Sequence, residues 1–270
     1  MKLEQLPESC RDAVDGRLFC AIKLAILAGQ STLEHFQSGV DVELKGDRSP
    51  VTIADKNAEK LIRSELASKF PDDAILGEEF GEQAGSSDYQ WIVDPIDGTK
   101  SFISGVPLYS TLVGVVSGRK CIAGVIYIPA LDEIIFAARG LGAWHSVRGS
   151  EVERCSVSDK PLEKGLFVVS QVDSFGDRGA ADNYQAIEKT AYISRSWGDG
   201  YGYLLVATGR AELMIDPIAN PWDLAAVQPV VEEAGGAFTS WEGEETVFGG
   251  DGVGSNGKVH QQALEMLKPN

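Results

Sequence analysis

Apolar residues recur at helical spacing across residues 8–36. Leu18, Ile22, Ala25, Ile26 and Gly29 predict one long amphipathic helix there. Residues 39–49 are polar and read as a connector, in which Lys45-Gly46-Asp47-Arg48-Ser49-Pro50 puts two cations next to a glycine. A second helix is predicted over 54–70, with Ala58, Leu61, Ile62, Leu66 and Phe70 at apolar positions. A turn at Pro71-Asp72-Asp73, a short strand over 74–77 and a loop over 81–88 follow. Trp91-Ile92-Val93 then enters Asp94 as a short buried strand, and Pro95 and Gly98 turn the chain at its end. Residues 109–116, 120–127 and 133–139 are strand-like runs with turn residues between them. They predict an antiparallel meander that residues 140–154 continue.

Past Ser156 the rhythm changes. Predicted strands at 166–170, 191–194, 212–215 and 238–241 alternate with helices at 180–189, 202–208 and 222–234. That alternation argues for α/β layering. The expectation is an N-terminal α+β domain over 1–155 and a C-terminal α/β domain over 156–270.

Composition narrows the function. The 270 residues are 43% hydrophobic and 24% charged, ordinary for a soluble globular chain. A net charge of −16 disfavours nonspecific binding to nucleic acid or an anionic membrane surface. Cys10, Cys20, Cys121 and Cys155 and the histidines His35, His145 and His260 have no metal-ligand spacing. The apolar stretch over 18–28 contains Lys23 and is too short to span a bilayer. Glu4, Glu8, Asp12 and Asp15 ahead of it are wrong for a signal peptide, so a cytoplasmic location with reduced thiols is expected.

The chemistry gathers at Asp94-Pro95-Ile96-Asp97-Gly98-Thr99. A tight turn there brings two carboxylates and an intervening carbonyl into one volume, where like charges repel unless a cation sits between them. All-oxygen ligation suits a hard cation such as Mg2+. Gly98 and Thr99 offer backbone N–H groups to an anion. Glu78-Glu79 close a strand only fifteen residues before Asp94-Pro95, and if both strands share one sheet the carboxylates converge. Asp223, opening a helix after Asn220-Pro221-Trp222, reads either as a helix-dipole carboxylate or as a ligand to a second ion. Asp55 likewise reads as a dipole partner in the first turn of its helix or as a water-mediated metal group. Two runs are discounted. Gly252 to Lys258 covers most of a phosphate-loop pattern, but Val259 stands where Ser or Thr is required and no useful helix is predicted after it, so it reads as a loop. Gly198-Asp199-Gly200-Tyr201-Gly202 lacks dinucleotide-binding spacing.

Together, Asp55, Glu78-Glu79, Asp94-Pro95-Ile96-Asp97-Gly98-Thr99 and Trp222-Asp223-Leu224-Ala225-Ala226 resemble the inositol monophosphatase superfamily of Mg2+-dependent, lithium-sensitive phosphatases. The resemblance implies a layered αβαβα sandwich, two or three Mg2+ ions at the junction of its halves, and a homodimer. It implies that Glu78, Asp94, the Ile96 carbonyl, Asp97 and Asp223 ligate metal, and that Glu78 and Thr99 orient and deprotonate the attacking water. Asp55 and Glu79 would act from behind these ligands, and Gly98 and Thr99 would hold phosphate.

Within the superfamily, Gly98-Thr99-Lys100-Ser101-Phe102-Ile103 is most similar to the histidinol-phosphate phosphatase branch. Arg195 to Tyr203 and Ala211 to Pro217 point the same way. Arg195, Asp199, Asp216 and Asn220 then become substrate-binding candidates, the acids facing an ammonium and an imidazole and Asn220 a ring nitrogen. The expected partner is a small phosphorylated metabolite, with inositol monophosphate or a 3′(2′),5′-bisphosphate nucleotide as alternatives to histidinol phosphate. A noncatalytic regulator that binds metal or phosphometabolite is the rival from another class.

Overall fold

The computed structural model describes residues 3–46 and 49–268. In chain order its helices are α1 (Glu8–Asp12), α2 (Arg17–Thr32), α3 (Ile53–Lys69), α4 (Thr99–Ile103), α5 (Asp173–Asp177), α6 (Ala181–Thr190), α7 (Asp199–Ala207), α8 (Pro221–Leu224), α9 (Val227–Glu233) and α10 (His260–Leu267). The strands of the first half are β1 (Val42–Leu44), β2 (Pro50–Thr52), β3 (Ala74–Gly77), β4 (Gly81–Gln83), β5 (Tyr89–Asp97), β6 (Ser110–Ser117), β7 (Lys120–Ile128), β8 (Glu133–Ala138), β9 (Ala143–Val147) and β10 (Glu153–Cys155). Those of the second are β11 (Leu166–Val169), β12 (Ile193–Arg195), β13 (Leu213–Asp216), β14 (Ala237–Thr239) and β15 (Gly252–Ser255).

An eight-stranded sheet runs β10-β9-β8-β7-β6-β5-β3-β4, and a five-stranded sheet runs β12-β11-β13-β15-β14. The large sheet is the expected meander, antiparallel except where β3 lies parallel to β5. Its central strands are apolar on both faces, as burial on both sides requires. Trp91, Val93, Val113, Val125 and Phe136 pack against α2 and α3, while Ile92, Leu112, Ile126 and Ile135 face α7 and α9. Those two helices also meet Met214 and Phe238 of the small sheet, whose far side carries α5, α6 and α10. The layers are therefore helix, sheet, helix, sheet, helix, the αβαβα sandwich expected.

Several local expectations are corrected. The helix predicted over 8–36 is broken where Val14, Asp15 and Gly16 all take positive φ, at 54°, 54° and 77°. Beside that break the Arg17 guanidinium donates to Asp73 at 2.8 and 2.9 Å and lies over the Phe70 and Tyr89 rings. The helix also ends early, at Thr32. Residues 81–83 form a strand paired with β3 rather than loop. The helix predicted over 222–234 is split at Ala225-Ala226. Pro229, which has no N–H to give the Ala225 carbonyl, explains the interruption. Residues 252–255 are a buried strand, with an eight-residue helix following at His260, so that segment is not a loop.

The split between α8 and α9 sits directly on the large sheet. Gly114 and Gly124 are register partners on β6 and β7. A Cβ on Gly124 would meet the Ala226 carbonyl at 2.0 Å, and one on Gly114 would meet the Ala225 carbonyl carbon at 2.9 Å. This glycine pair lets the backbone just after Asp223 rest on the sheet.

Candidate active site

Glu78 leaves β3 beside Asp94 because β3 and β5 are parallel, with Gly77 paired to Val93. The Glu78 N–H donates to the Val93 carbonyl at 3.3 Å, so the pairing persists into the glutamate itself. Strand β5 does not turn at Asp94, as the sequence suggested, but continues to Asp97 through a bulge. Asp94 pairs with Leu112 and Asp97 with Ser110, so Pro95 and Ile96 together oppose the single residue Thr111. In a regular strand residues three apart face opposite sides. The extra residue reverses that parity and brings both aspartates to one side. Thr111 Oγ1 donates to the Pro95 carbonyl at 2.8 Å, and the Ile96 N–H donates to Asp94 Oδ1 at 3.0 Å, pinning the bulge.

Asp97 reaches the other half of the molecule. Its Oδ2 accepts from Ser110 Oγ and from the Gly200 N–H, both at 2.5 Å, the latter at the start of α7. A Cβ on Gly200 would meet Ser110 Oγ at 2.4 Å, so a glycine of the discounted run serves this close approach. Asp223 opens α8, where its Oδ2 accepts the Asn220 N–H at 2.7 Å. It is thus a helix-capping carboxylate, and it still lies in the cluster. Oxygens of Asp94, Asp97 and Asp223 fall within 4.8 Å of one another.

These groups line a cleft of about 610 Å³ together with Glu78, Ile96, Gly98, Thr99, Asp199, Asp216 and Asn220. Thr99 Oγ1 donates to the Ile96 carbonyl at 3.1 Å. Behind the cleft, Asp55 Oδ2 accepts from the Thr52 N–H at 2.8 Å and from its hydroxyl at 2.6 Å, while its buried Oδ1 has no partner. Lys45 Nζ donates to Glu78 Oε1 and to Glu79 Oε1, both at 2.7 Å. Arg48, the second cation of that turn, lies outside the described residues.

On the opposite wall, Ser170 Oγ donates to the Asp216 carboxyl and accepts the Asp199 N–H at 2.8 Å. The Asp199 carboxylate stands against Gly98, where a Cβ would meet its Oδ2 at 2.6 Å. Lys100 donates to Gln171 across the cleft. Arg195 is not part of this wall. Its exposed side chain donates to the Ser194 carbonyl at 2.7 Å and lies 5.9 Å from the Trp197 ring centroid. Lys45, Ser110, Ser170 and Gly200 were not singled out as site residues from sequence; only the two-cation turn and the glycine run hinted at any of them.

Burial, and then mutual repulsion, pushes the Asp94 and Asp97 carboxyls well above the ordinary aspartate value. Burial raises Asp216, Asp223 and Glu79 to about 7, and raises Asp55 and Asp199 as well. Lys45 loses by burial but gains more from its two glutamates, ending above the usual lysine value. Crowded carboxylates, an all-oxygen donor set and an orphaned buried Asp55 oxygen fit a hard divalent cation.

Fold and cleft together define a layered αβαβα protein with a cluster of crowded carboxylates that could hold a metal ion. The model of the inositol monophosphatase family matches residues 14–268, and the chain belongs to that family. It is a phosphatase, of a family that is metal-dependent, and the reading as a noncatalytic regulator is set aside. A histidinol-phosphatase of Chlorobaculum parvum is 42% identical over 234 residues, covering 86% of this chain and 89% of that protein. One of Mycobacterium tuberculosis is 37% identical over 252 residues, covering 93% and 97%. The solved structure of an IMPase from Thermotoga maritima is 32% identical, with a TM-score of 0.82 over 93% of this chain and 96% of that one.

Proposed function

We propose that this phosphatase is a Mg2+-dependent phosphomonoesterase whose substrate is histidinol phosphate, released as histidinol and phosphate. The observation carrying the reaction type is the convergence of Asp94, Asp97 and Asp223 beside Glu78. Glu78, Asp94, the Ile96 carbonyl, Asp97 and Asp223 would hold two or three Mg2+ ions. When bound, such ions acidify water and neutralise charge on the phosphoryl group. Thr99, with its proton given to the Ile96 carbonyl, keeps lone pairs to accept a hydrogen bond from the attacking water. Glu78 receives the water's proton, and Asp55 and Glu79 steady it from behind. Backbone N–H groups of Gly98 and Thr99 take the phosphate oxygens.

The substrate choice rests on the opposite wall. Asp199 and Asp216, linked through Ser170, give it an acidic face suited to the ammonium and imidazole of histidinol. Asn220 at the cleft rim is suited to a ring nitrogen. The names of the two histidinol-phosphatase relatives support this choice, while the likeness to an IMPase supports inositol monophosphate as the alternative. Arg195 is given no role in the cleft. We place the protein in the cytoplasm, which its four free cysteines support. We also take it as a homodimer, for which Tyr192, 73% exposed, and the neighbouring Ile193 and Trp197 are the supporting surface. The test is phosphate release from histidinol phosphate and from inositol phosphate, with and without Mg2+. Inositol phosphate turned over with equal or higher kcat/KM would overturn the substrate.

No helix among the described residues is long and apolar enough to cross a membrane. The division at 155/156 stays part of the same proposal, as a boundary between a metal-holding half and a substrate-side half.

A further inference from the structure

The turn after β3 carries Glu78 and Glu79, and a carboxylate clasps its backbone from behind. Glu59, in the middle of α3, is fully buried. Its Oε2 accepts the Glu79 N–H at 2.8 Å. Its Oε1 accepts the Phe80 N–H at 3.2 Å and Arg63 Nε at 2.8 Å. Arg63 Nη2 donates in turn to the Gly81 carbonyl at 2.5 Å. One ion pair on one helix thus holds two amides and one carbonyl of the turn.

The fit leaves no slack. A Cβ on Gly77 would lie 2.1 Å from Glu59 Oε1, so any larger residue before Glu78 would have to displace that carboxylate. A buried charge adds little if the need is packing alone, since an apolar side chain of similar volume serves as well. The bonds Glu59 makes to backbone amides and to Arg63 are directional, and all converge on the segment that presents Glu78 to Asp94.

We propose that Glu59 is a positioning residue for the metal cluster, setting Glu78 and Glu79 through the peptide groups that follow them. Arg63 holds that carboxylate in its aim, and Gly77 makes room for it. The proposal rests on the reading of Glu78 as a metal-holding group.

The experiment is Mg2+ binding by calorimetry on metal-stripped protein, with amide hydrogen exchange over residues 78–81 as a second readout. Glu59→Gln keeps the volume but turns an amide donor toward backbone donors or toward Arg63. It is expected to weaken Mg2+ binding by about 10- to 100-fold, the usual effect of losing a group that orients a metal ligand, and to speed exchange in the turn. Gly77→Ala should do the same in the wild-type background and add nothing in a Glu59→Ala background. If Glu59→Gln fails to fold, Gly77→Ala carries the same expectation. Folded Glu59→Gln protein that binds Mg2+ within about twofold of wild type sinks the role of Glu59, leaving the metal site itself intact. Wild-type protein that binds no Mg2+ sinks the metal reading and this proposal with it.

Discussion

On one wall of the cleft, Glu78, Asp94 and Asp97 leave adjacent strands of the eight-stranded sheet, each tied to the backbone ladder or its bulge. On the other, Asp199, Asp216 and Asn220 sit at the ends of short elements and depend on Ser170 and helix starts for their aim. The first wall changes only if sheet register changes, and register there is held by side chains buried on both faces. The second can alter by single side-chain exchanges without disturbing a ladder. On the proposed function, the sheet wall, joined by Asp223 from the start of α8, would hold the reaction chemistry, and the other wall would select the leaving group.

The comparison breaks most directly at Asp97. Asp97→Asn should lower kcat/KM for phosphate release by roughly 10²-fold or more, about 2.7 kcal/mol of transition-state stabilisation. Unchanged release would remove the sheet wall from catalysis. Gly124→Ala tests whether the sheet also seats the far ligand. Forcing the Ala226 carbonyl away should destabilise the fold by about 1–3 kcal/mol, seen in thermal melts, and weaken Mg2+ binding through Asp223. A melt and an isotherm equal to wild type would mean that the close contact does not hold Asp223.

Asp199→Asn sharpens the other wall. It should raise KM for histidinol phosphate by about 10-fold, the scale of one lost charge-assisted hydrogen bond, while inositol phosphate changes less. Equal losses for both substrates would assign Asp199 to the reaction rather than to selection.

A pH dependence tests the carboxylates that face each other across the cleft. Asp216 and Asp223 titrate near 7 in the folded chain, against an ordinary value of 3.8. Between about pH 4 and 7 the folded state therefore holds more protons than the unfolded one. Stability of the metal-free protein should fall as pH rises through that window. Saturating Mg2+ should flatten the dependence by favouring the ionised carboxylates. Melting temperatures at both ends of the window, with and without Mg2+, check it, and a metal-free protein that gains stability with pH would contradict it.

Much of the sheet wall was legible. Near-continuous apolar runs from Tyr109 to Arg139, separated by turn residues, predicted the meander, and the order of the acidic clusters pointed to their convergence. What could not be read was the parity of Asp94 and Asp97. A bulge exists only by reference to the partner strand, and Thr111 and Ser110 lie beyond any local pattern. The helix over 222–234 was misread because its apolar period continues through Pro229, whose missing N–H interrupts the hydrogen bonding without altering the pattern. Arg195 became a substrate candidate through the likeness of residues 195–203 to the histidinol-phosphate phosphatase branch, but an edge strand carries it outward.

The chain's own residues determined the kinds of chemistry available: crowded carboxylates that call for a divalent cation, glycines placed for anions and close approaches, and strands whose two apolar faces require layers of helix on either side. Those properties are local, written in side-chain type and spacing. Which oxygens meet, which acid caps a helix while facing the same centre, and which buried glutamate steadies the turn behind it were decided by tertiary packing. Each depends on distances between segments far apart in sequence, as between Glu59 and Phe80 or Asp97 and Gly200.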